Sequence, residues 1–451
     1  MFLSSDISFY IISLGCSKNL VDSEKINGEM LSCGFKRAST PEEADIIIIN
    51  TCGFIEEAKK ESIDVIFESI NLIEVFQNEE HLLPYYKGDQ IDALNFKKKI
   101  VAIGCLSKRY YDEILSDIPE IDLLYGLVDD NLIKHLCHRF DIRSAHSNRK
   151  KRSPLIDNLP YSYIKISEGC SNNCSYCAIP LIRGNLISFP IDMILHDSQE
   201  AVQKGAKELI IIAQDIASYS YDKYRLPDVV KRISDIDGVE WIRLLYCHPD
   251  NLYDDIIELI HINKKVVKYI DIPFQHVSKR ILKSMSRKGD YQSYYRLVMN
   301  LRERIPNIRI RSTFMIGYPG ETKDEFSELV KFIERVRLDR IGCFMYSKEE
   351  NTRASMLKGH HPEEIKRNRY DELMMIQKDI SKQKLRGMIG WEVEVMIEDE
   401  IDEKTWLGRS TFDAPEVDGV FYLTGDDVAL NTIVKAKITS TLEYDLIGEL
   451  I

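Results

Sequence analysis

Up to about residue 140 the chain alternates strand-like apolar runs with stretches of helical spacing. FYIISLG (9–15), DIIIIN (45–50), KIVAIG (99–104) and IDLLYG (121–126) read as strands, and helical patterns follow at roughly 22–33, 56–76, 110–117 and 129–140. That alternation implies a parallel sheet covered by helices. A second series starts at Tyr161: YSYIKIS, ELIIIA, WIRLLY, VKYIDIP, RIRSTFM and RIGCFMY, with helical segments between them. Six such units in so short a stretch suit a partial parallel βα barrel better than a complete one, with the chemistry on loops at the C-terminal strand ends. A helix from about Pro362 to Lys384 leads out, Pro marking its start and Gly387 its end. From WEVEVMIEDE onward the runs are β-type and broken by Gly and Asp, as in a small antiparallel β-barrel.

The expected architecture is therefore α/β. An N-terminal parallel-sheet domain spans 1–140 and a polar linker 141–160, carrying a solvated RKKR run. The partial barrel follows over 161–385 and the small β-barrel over 386–451. The stretch Asn71 to Lys97 is longer than a connection between two such strands needs.

With 451 residues, 44% hydrophobic and 29% charged, the chain reads as globular and too long for one core. The longest aliphatic run, Ile46 to Ile49, is far too short to span a bilayer, and no basic segment precedes the apolar start. A cytoplasmic protein without a membrane partner is expected. The net charge of −12 is unevenly placed: residues 388–451 hold 15 acidic and four basic side chains, 4 − 15 = −11, leaving the remainder nearly neutral. So acidic a module argues against coating nucleic acid, which is expected to bind only incidentally.

Ten cysteines without a secretory signal point to metals or catalysis rather than to disulfides. Cys170, Cys174 and Cys177 fall within eight residues of EGCSNNCSYCAIPLIRGN, just after the first barrel strand. Thiolates suit iron–sulfur clusters or zinc. Zinc would want a fourth Cys or His close by, and none lies between Cys177 and His196. Three thiolates would leave one iron of a [4Fe–4S] cluster free to chelate a substrate. Cys16, Cys52 and Cys105 share another context: each lies just past the C-terminal end of an expected parallel strand, where residues distant in sequence converge on one crevice. They read as ligands of a second cluster, or as three buried thiols. Cys33, Cys137, Cys247 and Cys343 read as packing residues, with Cys247-His248 near a barrel-strand end.

The spacing CxxxCxxC, with an aromatic before the third cysteine at the start of a βα barrel, resembles the signature of the radical S-adenosylmethionine (SAM) superfamily. SLGCSKNLVDSE, NTCGFIEEAKKESID, ISEGCSNNCSYCAIPLIRG, KELIIIAQD, YIDIPFQH and DAPEVDG together resemble the methylthiotransferases along essentially the whole chain, in the branch acting on ribosomal protein S twelve. The resemblance implies two [4Fe–4S] clusters and SAM as cofactors, with Cys170, Cys174 and Cys177 holding the SAM-cleaving cluster and Cys16, Cys52 and Cys105 the auxiliary one. It implies Tyr176 near the adenine, Gln214, Asp215 and the turn at Gly317 as further SAM contacts, and a C-terminal TRAM-like barrel.

The implied reaction is methylthiolation at the β-carbon of an aspartate. Acid–base chemistry handles such a carbon poorly, whereas a radical derived from SAM can remove its hydrogen atom. Implied partners are ribosomal protein S twelve, free or in the small subunit, and an electron donor of flavodoxin or ferredoxin type. The alternatives are the same chemistry on a hypermodified adenosine of transfer RNA and, more remotely, a non-catalytic RNA-binding metal protein.

Overall fold

The computed structural model describes residues 2–79, 97–144, 152–156 and 158–451. Of the long stretch Asn71 to Lys97, residues 80–96 lie outside the described residues, as do 145–151 of the linker. The chain forms two compact units, one of Met1–Asp157 with Leu181–Gly184 and one of Asn158–Pro180 with Asn185–Ile451. No helix among the described residues is long and apolar enough to cross a membrane.

The first unit is built on a five-stranded, all-parallel sheet. Its strands run, in spatial order, Lys36–Arg37, Ser8–Ser13, Ile46–Thr51, Lys99–Gly104 and Leu123–Leu124. The middle strand is buried throughout. Ile46 and Ile48 pack on one face with Ile26, Met30 and Leu136, while Ile47 and Ile49 pack on the other with Ile66, Ile70 and Ile114. A run of four isoleucines is what burial on both faces of a sheet requires.

Three expectations shift. The first helix is Ser17–Ser32, beginning directly after Cys16 rather than at 22, because Ser17, Asn19, Asp22 and Ser23 are buried in it. Cys105 opens a short helix, Cys105–Arg109, and IDLLYG contributes only the edge pair Leu123–Leu124. Arg152, from the run read as solvated, is buried and paired with Glu24 of the first helix through its Nε and Nη2.

In the second unit six parallel strands carry the expected series. Trp241–Leu244, Glu208–Ile212 and Tyr161–Lys165 form one three-stranded sheet, and Tyr269–Asp271, Arg309–Ile316 and Arg340–Met345 form another. The partial barrel is thus interrupted between its third and fourth strands: Ile242 of the third bridges in parallel to Val266, ahead of the fourth, and Cys247, past the third, donates its N–H to the Asp271 carbonyl at 2.9 Å. One apolar core still runs through both sheets, from Ile164 and Leu209 to Phe314 and Ile341. The helices show their sequence logic locally. In Lys323–Val336, Thr322 and Glu325 form a reciprocal capping box, and Phe326, Leu329, Phe332, Ile333 and Val336 supply the buried stripe.

The tail is a closed barrel of Glu392–Asp402, Thr405–Ser410, Phe421–Thr424, Leu446–Leu450 and Ile433–Thr441. It is not wholly antiparallel, since Phe421–Thr424 and Leu446–Leu450 pair in parallel. Leu446–Leu450 is already the antiparallel partner of Ile433–Thr441, and closing the ring on its other edge fixes that direction.

The tail docks on the N-terminal ends of the parallel strands. Glu208, first in its strand and fully buried, accepts Arg243 Nε at 2.6 Å and Arg409 Nη2 at 2.7 Å. The DAPEVDG turn supplies Asp413 to Arg340 Nη2 at 2.5 Å and Asp418 to the Tyr269 hydroxyl at 2.6 Å. Arg340 and Tyr269 also open their strands. The motif is therefore a clasp, made of carboxylates turned inward.

Candidate functional site

The loop carrying Cys170, Cys174 and Cys177 leaves the strand Tyr161–Lys165 at its C-terminal end. Cys177 N–H donates to the Cys174 carbonyl at 3.2 Å, so the CxxC half is a single turn with its two thiols close together. The loop is pinned along its length. Ser175 N–H donates to the Met285 carbonyl at 3.0 Å, Ala354 N–H donates to the Ser175 carbonyl at 2.8 Å, and Ser175 Oγ lies 2.8 Å from the Tyr318 hydroxyl. Arg353 Nη2 donates to the Asn173 carbonyl.

Asp215 organises the strand end beside it. Its carboxylate, almost wholly buried, accepts from Ala217 N–H (3.1 Å), His248 N–H (3.1 Å), Asn172 Nδ2 (2.9 Å), Asn251 Nδ2 (2.7 Å) and Ser218 Oγ (2.5 Å). Five protein donors occupy the side chain that the resemblance offered to SAM, and one of them is on the cysteine loop. Gln214, beside it, is half-buried. Gly317 N–H donates to Glu321 Oε2 at 2.6 Å, and Glu321 is in turn held by Arg369 Nη1 at 2.6 Å. Tyr176 is half-buried against the core, and its hydroxyl accepts from Arg287 Nη1 at 3.4 Å.

Burial pushes the Cys170 thiol up, with the charges of Asp215 and Cys174 adding to the effect. Cys177 is pushed up to about 12 by burial, with Cys174 and Cys170 adding and Arg287 opposing. The three thiols therefore share one electrostatic neighbourhood. Arg287 Nη1 points at Cys174 Sγ from 3.7 Å, and His248 Nε2 lies 4.0 Å from the same sulfur. His248 Nδ1 accepts from Asp250 N–H at 3.2 Å, and burial, then Arg287, lower its pKa to about 4. The neutral ring therefore carries its proton on Nε2, facing the sulfur.

Sequence spacing gives no hint of Arg287. His248 was legible only as a neighbour of a strand end, and Cys247 beside it is a fully buried packing residue.

The second trio lies within the first unit. Cys52 is pushed up to about 12, first by burial, with Cys16 and Cys105 both adding; Cys105 is raised by burial, with Cys16 adding and Arg183 opposing. Strands that end in cysteine thus converge as the parallel sheet demands. Two glycines make room. Gly15 has φ +86°, and a Cβ there would lie 2.7 Å from Cys52 Sγ; Gly104 has φ +101°, and a Cβ there would lie 2.4 Å from Asn50 Oδ1.

The polar residues of SLGCSKNLVDSE and NTC hold one another beneath this crevice. Asn19 Nδ2 donates to the Leu14 and Thr51 carbonyls, both at 3.0 Å, Asn50 Nδ2 donates to the Asn19 carbonyl and Ser23 Oγ, both at 2.9 Å, and Thr51 Oγ1 donates to the Ile103 carbonyl at 2.5 Å.

All ten cysteines are free thiols. Among the described residues no three His, Cys, Asp or Glu side chains are drawn together as one metal ion would need. What fits a cluster is the donor set: two groups of three thiols, each on one side of a preformed crevice or loop.

Family models match in the same order as these features. Residues 8–126 match the Uncharacterized protein family UPF0004, 164–333 the Radical SAM superfamily and 389–451 the TRAM domain. The chain is 42% identical over 452 residues to the ribosomal protein uS12 methylthiotransferase RimO of Thermoanaerobacter sp. (strain X514), covering 97% of this chain and 99% of that one. It is 41% identical over 455 residues to the protein of the same name from Petrotoga mobilis (strain DSM 10674 / SJ95), covering 98% and 99%. Among solved structures, the radical SAM methyltransferase TsrM from Kitasatospora setae, with cobalamin and a [4Fe–4S] cluster bound, superposes with a TM-score of 0.52 at 12% identity, covering 75% of this chain and 74% of that one, a likeness of fold alone. Matched end to end by such relatives, with a thiol trio in each unit, the chain belongs to the ribosomal protein uS12 methylthiotransferase RimO family of radical SAM enzymes.

Proposed function

We propose that Cys170, Cys174 and Cys177 hold the SAM-binding [4Fe–4S] cluster, that Cys16, Cys52 and Cys105 hold an auxiliary one, and that the methylthio group goes to the β-carbon of an aspartate in ribosomal protein uS12. The observation that carries this reading is the pair of thiol trios, in each of which the sulfurs raise one another's pKa values across a shared loop or crevice. When bound, cluster and SAM supply a carbon radical able to take hydrogen from an unactivated carbon.

The chain's own residues position and shield. Asp215 and Asn172 fix the cysteine loop, Arg287 and His248 donate toward the Cys174 sulfur, and Tyr176 offers a ring to the adenine, with Gln214 and Gly317 on adjoining strand ends. Hydrogen bonds to a ligating sulfur are a recognised means of tuning a cluster. We assign residues 1–140 to the auxiliary cluster, 161–385 to the radical chemistry and 386–451 to substrate recognition, in a cytoplasmic enzyme reduced by a flavodoxin- or ferredoxin-type donor.

The tail favours a basic protein over RNA. Of its four basic residues, Arg409 is buried against Glu208 and Glu398, and exposed Lys404 is paired with Asp426 at 3.1 Å. Phosphate binding needs free cations to displace counterions, whereas an acidic surface steers toward basic ribosomal proteins.

The test is to incubate the full chain, anaerobically reconstituted, with SAM, reductant and either purified uS12 or transfer RNA, and to read methylthio-aspartate by mass spectrometry. Transfer to RNA and not to uS12 would overturn the substrate. Replacing Cys170, Cys174 and Cys177 by Ala should halve the iron and abolish deoxyadenosine formation, and retained SAM cleavage would sink the ligand assignment.

A further inference from the structure

The sequence motif that carries the radical SAM cysteines does not end with them. Six residues after Cys177, in AIPLIRGN, comes Arg183. Its segment, Leu181–Gly184, belongs to the first unit, although its neighbours on both sides in the chain belong to the second. Almost no part of its side chain is exposed. Its guanidinium donates from Nε to Cys105 Sγ at 3.2 Å, from Nη1 to Asp22 Oδ2 at 3.1 Å and from Nη2 to Asn19 Oδ1 at 2.6 Å.

A buried guanidinium is costly unless its charge is answered. Asp22 answers it. A structural ion pair, however, has no need to turn a third donor onto a thiol sulfur. Asn19 shares in the arrangement: its side-chain nitrogen holds the Leu14 and Thr51 carbonyls, next to the strand ends bearing Cys16 and Cys52, and its oxygen takes Arg183. Asp22 adds negative charge beside thiolates that already repel one another. In so dry a place a cation in hydrogen-bond contact with one of the sulfurs acts with little screening.

We propose that Arg183 is a positioning residue and counter-cation of the auxiliary cluster, aiming the Cys105 thiolate and raising the cluster's reduction potential by stabilising the added electron. The inference rests on Cys16, Cys52 and Cys105 being that cluster's ligands. It gives the RG of the radical SAM motif a role at the other thiol centre.

The experiment uses the full chain carrying Cys170→Ala, Cys174→Ala and Cys177→Ala, so that iron remains only at the auxiliary site. If that protein binds no iron before Arg183 is touched, the ligand reading has failed, not this one. Given iron, Arg183→Met and Arg183→Lys are compared by potentiometric titration with dithionite, followed by electron paramagnetic resonance.

Arg183→Met should move the midpoint at least 59 mV more negative, a tenfold shift of the one-electron equilibrium. Arg183→Lys, which keeps the charge, should move it less than half as far. An unchanged or more positive midpoint in Arg183→Met would overturn the proposal and leave Arg183 a strut for Asp22. Should Arg183→Met fail to fold, Asp22→Asn/Arg183→Met removes the orphaned carboxylate and gives the same reading. If neither loads iron while Arg183→Lys does, the charge is required and the proposal stands. If Arg183→Lys also fails to load, the planar fork matters rather than the charge, and the counter-cation role is wrong.

Discussion

Glu208→Gln should loosen the C-terminal barrel from the parallel sheet and leave SAM cleavage intact. Burial works against ionisation of this side chain, but Arg243 and Arg409 outweigh it and keep its pKa lowered. Glutamine preserves the shape and one acceptor but removes the negative charge facing two buried guanidiniums. Arg409 would keep Glu398 and the Asp413 carbonyl, and Arg243 would keep the Thr411 carbonyl. Breaking a buried pair from one side costs about 3–5 kcal/mol, and the retained acceptor places this change near the low end, at about 3 kcal/mol. That corresponds to opening of the seam about 100-fold more often. Hydrogen exchange reads it directly, at the amides of Thr405–Ser410 and of the turn 411–420. The cysteine loop lies past the other end of its strands, and Glu208 to Ile212 alone spans about 13 Å at about 3.3 Å per residue, so deoxyadenosine formation should hold at its wild-type rate. Exchange unchanged within threefold would refute the reasoning, as would a collapse of SAM cleavage in a protein that still loads both clusters.

Gly15→Ala places a methyl group against Cys52 Sγ at a left-handed φ and should remove about half of the iron, with SAM cleavage retained; full loading measured by iron analysis would contradict the crevice geometry. Asp215→Asn swaps an acceptor for a donor opposite Asn172, Asn251 and Ser218, and should cost about 2–3 kcal/mol and abolish SAM cleavage, checked by thermal melting and product analysis. His276 is fully buried and holds Ser278 N–H on Nδ1 at 2.9 Å, and burial lowers its pKa to about 4 from 6.5. The unfolded chain binds the proton first on acidification, so stability is whole above pH 6.5 and falls by about 3 kcal/mol on the way to pH 4. A His276→Gln variant should show a shallower urea-stability slope over that window; equal slopes would rule His276 out.

The grouping of six cysteines into two trios is legible because strand ends and a tight loop are local patterns, and a parallel sheet brings such ends together without further information. The groups around them were not. Arg287 and His248 reach Cys174 across 113 and 74 residues, and Arg183 reaches Cys105 across 78, by packing that no spacing encodes. The first turns of the first helix are hidden in the sequence for a related reason. Asn19 and Ser23 look like a polar loop until Asn50, Ser13 and two carbonyls are seen to satisfy them. The tail is acidic by composition, but Asp413 and Asp418 face the sheet, so composition overstates what its surface presents. Parallel closure of the barrel likewise depends on which edge the last strand finds, a tertiary choice.

The pinning of residues 170–177 decides when the cost of ordering that loop falls due. In small zinc domains metal and fold arrive together, since the ligand loops have no shape without the ion. Here Ser175 is fixed by Met285, Ala354 and Tyr318, and Asn172 by Asp215, all protein contacts. These contacts order the loop as part of the domain's own fold, without help from a ligand. If Cys170, Cys174 and Cys177 hold a cluster as proposed, its oxidative loss would leave these protein contacts standing, and repair becomes a matter of refilling the cradle rather than of remaking the protein.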